Sequence, residues 1–170
     1  MPTPTASDPV SARPCPLWRR LLALVYDLLI VVAIVMVVGL LCQLATGGQL
    51  IRTDGHAVIP MWYRPLQGLV VSAYLLSSWQ FGGQTVGMRA WRIRLTARDG
   101  GSPTLQQSVL RLLAAAAPML VLTLAPMLGL RATLWTLLLV WAAWFAAALF
   151  DPRRRALHDI VAATELRRID

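Results

Sequence analysis

The sequence predicts an all-α membrane protein with four transmembrane helices, both termini cytoplasmic, and a short cytoplasmic amphipathic C-terminal helix. Three observations predict it. Of the 170 residues, 57% are hydrophobic and only 14% charged, with mean hydropathy +0.60, whereas a soluble domain holds about 45–50% apolar and about 25% charged residues. The apolar residues gather in runs long enough to cross a bilayer. The arginines gather on one side of those runs. Too little polar surface remains to enclose a water-soluble core, so a soluble enzyme is excluded, and the apolar content excludes disorder.

Residues 1–16 read as a flexible N-terminal segment, followed by one transmembrane domain over 17–168. The first span is Leu21–Ala45, broken only by Asp27, Cys42 and Gln43; about 20 apolar residues suffice for a crossing. A cleaved signal peptide is the competing reading, but the run is longer than a signal core, holds an acid and lacks an A-x-A site. The second span, 62–81, carries Trp62, Tyr63, Trp79 and Phe81 at its ends, where interfacial aromatics belong. The stretch Val109–Phe150 is too long for one crossing, and Pro126, Gly129 and Arg131 mark a turn inside it. It divides into spans of about 107–126 and 131–150.

Orientation follows from charge. The chain has sixteen arginines, no lysine and eight acids, for a net +8. With the N-terminus inside, thirteen arginines fall in cytoplasmic segments, against Arg52, Arg64 and Arg131 outside, as the positive-inside rule requires. The same balance on a soluble chain would suggest nucleic acid. Beside apolar runs it points to a membrane surface instead.

The loops have character of their own. Leu50–Ile59 alternates around Asp54-Gly55, a hairpin signal, and a disordered outer loop fits the segment equally well. Trp91, Ile93, Leu95 and Ala97 alternate with Arg92, Arg94, Thr96 and Arg98, a strand period ending at Asp99-Gly100-Gly101. Thr104 and Gln107 fit a capping box for the third span. After the fourth span, Asp151-Pro152 suggests a helix start, with Leu157, Ile160, Val161 and Thr164 on one face. Residues 151–168 are therefore expected as a tail lying on the inner interface. Its Arg153, Arg154 and Arg155 would favour anionic lipid headgroups or a partner protein. The GxxxG spacing of Gly83–Gly87 falls just past the second span and suits a turn better than a helix-pairing face.

Asp27 is the most informative residue. A carboxylate deep in a span costs roughly 2.5–3.5 kcal/mol, so it is expected to face protein or a wet cavity rather than lipid. Arg20 lies two turns away on the same face, too far for an i,i+4 pair. Arg111 at the start of the third span is the expected partner, with Ser77, Ser78 and Gln80 nearby in support. Two readings of Asp27 stay open: a structural ion pair that fixes helix packing, or a site for an ion or proton. His158 and Asp159 form no metal site, because the second histidine, His56, falls across the membrane. The local reading of Asp159 is an i,i+4 pair with Arg155. Cys15 and Cys42 would lie roughly 40 Å apart on one helix, beyond disulfide reach. No nucleophile elbow, zinc-helix or phosphate-loop motif is present, so neither enzyme activity nor a cofactor is expected.

Three segments, in order, resemble one family. Trp18 to Asp27 resembles the opening of the RDD family of bacterial membrane proteins; Gly83 to Leu95 resembles its T-x-G motif and following basic strand; Phe150 to Asp159 resembles its closing His-Asp segment. The resemblance implies that Arg20, Asp27 and Asp159 are the family's named Arg and two Asp residues. Two departures stand out, Met88 in place of a common Lys and Ala162-Ala163 in place of a Gly-containing turn. The resemblance also implies a multi-pass protein of the bacterial inner membrane with a role in transport. The expected function is then passage of a small ion or proton. Asp27 would be the binding acid, Arg20 and Arg111 its electrostatic tuners, Asp159 a cytoplasmic gate contact and His158 a support. The alternative is a non-transporting adaptor that holds a protein or anionic lipid through its arginine-rich face. A homo-oligomer is a corollary of the transport reading, since four helices are few for a conduction path.

Overall fold

The structure, a computed structural model, describes residues 15–48, 50, 59–151 and 155–169. The expected hairpin at Asp54-Gly55, His56, residues 1–14, Arg153 and Arg154 lie outside the described residues.

The helices follow the apolar runs. Helix α1 spans Leu17–Ala45 and ends where Thr46 Oγ1 donates to the Cys42 carbonyl and Gly47-Gly48 turn the chain. Helix α2 spans Tyr63–Gly82. Gly83 caps it in the left-handed region, φ 65°, where a side chain is strained. The five-residue α3, Val86–Ala90, follows, so Gly83–Thr85 turn the chain and Gly87 lies inside the short helix after it. Thr104 then caps α4, Leu105–Ala116, with the expected capping box: Gln107 N donates to Thr104 Oγ1 and Thr104 N to Gln107 Oε1. At Pro118 the missing N–H breaks the α ladder, and residues Ala117–Leu124 tighten into a 3₁₀ segment before α5, Ala125–Leu128. Gly129 (φ 77°) separates this rod from α6, Leu130–Phe150, within the turn the sequence marks. Leu17–Ala45, Leu105–Leu128 and Leu130–Phe150 are long and apolar enough to cross a membrane. Helix α2 has the length, 20 residues, but is less apolar. The exposed flanks of the long helices are unsuited to water: Leu29, Met36, Leu44 and Leu139 are each more than 60% exposed, a continuous apolar surface of the kind that meets lipid.

The expectation of an all-α fold needs correction. Strand β1, Ile93–Ala97, pairs antiparallel with β2, Thr164–Arg168, in the register Leu95↔Leu166. The alternation at 91–98 signals β1, while its partner lies in the tail that helical periodicity had extended to Thr164. That helix, α7, covers only Leu157–Val161. It stops because Ala163 adopts φ 53°, and the chain then extends.

The tail is also not one continuous amphipathic helix but a short helix and a strand packed against the rest of the chain. His158, Asp159, Ala162, Thr164 and Leu166 are buried, and α7 packs on α4 and α6. The helix does not start at Asp151 either; Asp151 closes α6 and takes the Arg155 backbone N–H and guanidinium. Around this docked tail lies the hydrophobic core: Cys15, Ala23, Trp79, Met88, Ile93, Leu95 and Leu166. It gathers where the two ends of the described chain meet, and it gives the polar groups below a protein environment.

Candidate functional site

Two acids organise this end of the molecule, and each has its own partners. Asp159 is fully buried. Arg20 Nη1 donates to its Oδ2 at 3.1 Å, and Arg111 Nη1 donates to its Oδ1. Both arginines are 4% exposed. The Ala156 backbone N–H also donates to Oδ2, at 3.1 Å, which fixes the first turn of α7. Arg111 further donates to Thr164 Oγ1 and sits over the Trp79 ring at 5.4 Å. One carboxylate therefore ties α1, α4, α7 and β2 together. Burial alone would raise the Asp159 carboxyl, but Arg111 and Arg20 outweigh it and hold it below the usual carboxylate range.

His158 is buried beside this triad, with Nε2 3.6 Å from Asp159 Oδ1 and its ring edge-on to Phe145. Burial, then the positive charge of Arg111, lowers its pKa from 6.5 to about 4. It is neutral at pH 7, and the distance to Asp159 is too long for a hydrogen bond.

Asp27 stands apart from the triad. Its Oδ2 accepts from Thr85 Oγ1 at 2.5 Å and its Oδ1 from the Gly87 backbone N–H at 2.8 Å. Thr85 uses the same oxygen to cap α3, accepting from Met88 N. Gly87 is required by space. A Cβ there would strike the Ala23 carbonyl and lie 2.8 Å from the Asp27 carboxylate, so only glycine lets α3 rest against α1. Both donors are neutral, and among the described residues no cation pairs with Asp27.

The expected grouping of site residues is thus redrawn. Arg20 and Arg111 come together, but on Asp159 rather than on Asp27. Their geometry explains why: Arg20 and Asp27 share a face of α1 yet lie two turns apart, and the docked tail places Asp159 between the two arginines. The expected Arg155–Asp159 pair is replaced by Arg155–Asp151. Ser77 donates to the Tyr74 carbonyl of its own helix, and the Ser78 carbonyl accepts from Gln84 N. Gln80 Nε2 reaches Ser108 Oγ and the Pro103 carbonyl, joining α2 to α4. None of these three supports Asp27. The residues that do, Thr85 and Gly87, belong to the T-x-G run, whose spacing was the available signal.

A model of the RDD family matches residues 14–163. Neither a curated protein nor a solved structure matches the chain. The match covers most of the 170 residues and takes in Arg20, Asp27, the T-x-G run and Asp159, so this chain belongs to the RDD family.

Proposed function

We propose that the protein is a four-span inner-membrane protein, with both termini cytoplasmic, that passes a proton or small cation by way of Asp27. The observation that carries this reading is the contrast between the two acids. Asp159 is compensated by two guanidiniums and serves as a structural lock. Asp27 sits in the membrane-length helix of highest hydropathy and, among the described residues, is held by a hydroxyl and a backbone amide. Among the described residues no cation balances its negative charge, so a proton or metal cation is the natural counter-charge. The oriented Thr85 and Gly87 donors hold the carboxylate in place while that counter-charge exchanges.

A second reading, a non-transporting adaptor, is favoured by one observation: Arg89, Arg92, Arg94 and Arg98 are exposed, with no acid in ion-pair reach among the described residues. Reconstituted vesicles with an internal pH dye separate the two. Asp27→Asn keeps a carbonyl oxygen for the Gly87 N–H and can donate its amide to the Thr85 hydroxyl oxygen, so it is expected to fold and to lose dissipation of an imposed pH or cation gradient. Flux equal to the parent chain would overturn the transport reading.

A further inference from the structure

At the N-terminal end of α1 a row of side chains joins α1 to the loop after α3. The Arg19 guanidinium lies over the Trp18 ring at 5.1 Å, Trp18 meets Trp91 edge-on at 5.9 Å, and Trp91 meets Tyr26 at 6.1 Å. Trp18 and Tyr26 remain about half exposed. Aromatic rings in this setting, at the end of a membrane-length helix, mark the headgroup level of a bilayer. Arg92 follows Trp91 directly, and its backbone N–H bonds to the Arg89 carbonyl, which puts two exposed guanidiniums in one turn.

The row is rich in donors and poor in acceptors. Arg19 Nε and Trp91 Nε1 are both shielded and have no acceptor among the described residues. Arg19, Arg89 and Arg92 have no acid in ion-pair reach among the described residues. Among the described residues, three cations and an unsatisfied indole N–H beside an aromatic belt therefore lack the anion that would complete them, and at headgroup depth the anion available in quantity is a lipid phosphate.

We infer that Arg19 and Arg92, flanked by Trp18 and Trp91 and assisted by Arg89, seat the phosphate of an anionic phospholipid headgroup. It is built from other residues than the Arg153–Arg155 cluster expected from the sequence, and it holds whether or not Asp27 exchanges a proton. The rings would cover the glycerol and upper acyl region while the guanidiniums take the phosphate oxygens.

The test is a thermal-shift titration of the detergent-solubilised full chain with phosphatidylglycerol, phosphatidylcholine or inorganic phosphate. Phosphatidylglycerol is expected to raise the melting temperature at much lower concentration than either of the others. In Arg19→Gln/Arg92→Gln the half-saturating phosphatidylglycerol concentration is expected to rise about thirtyfold, roughly fivefold per arginine lost near the surface. Arg94→Gln/Arg98→Gln, on the neighbouring strand and the residue just after it, is expected to leave it unchanged. If Arg19→Gln/Arg92→Gln fails to fold, the solvent-facing Arg89→Gln/Arg92→Gln is read in its place, with the same expected rise. Three results overturn the proposal: equal stabilisation by phosphatidylcholine, equal stabilisation by inorganic phosphate (a free-anion site), or a strand variant that loses as much as the row variant (diffuse charge).

Discussion

Replacing Asp159 by Asn keeps the shape of the side chain and removes its charge. In the native fold that carboxylate lies between the guanidiniums of two arginines that are themselves 4% exposed. Its neutral replacement leaves two positive charges buried side by side. Removing one partner of a buried pair costs about 3–5 kcal/mol, and weakening the bond to Ala156 N adds about 1 kcal/mol at the start of α7. Against a total stability of about 5–15 kcal/mol, this is a large fraction. At roughly 2–4 °C per kcal/mol for a chain of this size, the melting temperature should fall by roughly 10 °C or more. The assay is thermal unfolding of the purified chain in one detergent, with parent and variant run in parallel. A second variant, Arg20→Leu/Arg111→Met/Asp159→Leu, removes all the charges together and should melt above Asp159→Asn, because the stranded charges are gone. The reasoning is refuted if Asp159→Asn melts within about 1 °C of the parent, or if the triple variant is the worse of the two.

Three further outcomes follow from the same geometry. His158 titrates at about 4 when folded and near 6.5 when unfolded, so the unfolded chain binds more protons between those values and stability should fall by about 3 kcal/mol as pH drops from 6.5 to 4. His158→Gln should flatten that part of a melting-versus-pH curve, and an unchanged slope would contradict the assignment. Gly87→Ala should separate α3 from α1, whereas Thr85→Val, which loses one donor and one cap, should cost about 1–3 kcal/mol; protease sensitivity around Arg89 and Arg92 reports both, and a well-folded Gly87→Ala would show that the close approach is not required. Ala163→Gly should raise the melting temperature slightly, since the φ 53° that Ala163 adopts costs about 1–2 kcal/mol without glycine, partly offset by the added freedom of the unfolded chain. A lower melting temperature would count against strain at this turn.

Local patterns made much of this fold legible. The apolar runs mark α1, α2 and α6 to within a few residues, the Thr104/Gln107 spacing marks the start of α4, and the Arg/apolar alternation marks β1. The parts that escaped depend on distant pairing. Thr164–Arg168 is five residues long, and its Thr164 fits the preceding helical face as well as a strand, so β2 becomes visible only beside β1. The Asp159 triad joins positions 139 and 48 residues apart, which no spacing rule reaches. Asp27 escaped for a chemical reason: a search for its partner looks for opposite charge and finds Arg111, whereas its donors are a neutral hydroxyl and a backbone amide. Pro118 sits in a run that hydropathy treats as uniform, which hides the 3₁₀ segment.

The division of labour between the two acids is tested most directly by measuring gradient dissipation and melting temperature on the same vesicle preparations of Asp27→Asn and Asp159→Asn. Asp27→Asn should melt close to the parent and carry no flux, while Asp159→Asn should lose roughly 10 °C and keep its flux per folded molecule at temperatures below its melting. The opposite pattern, with flux surviving loss of the Asp27 charge and vanishing in folded Asp159→Asn, would contradict it.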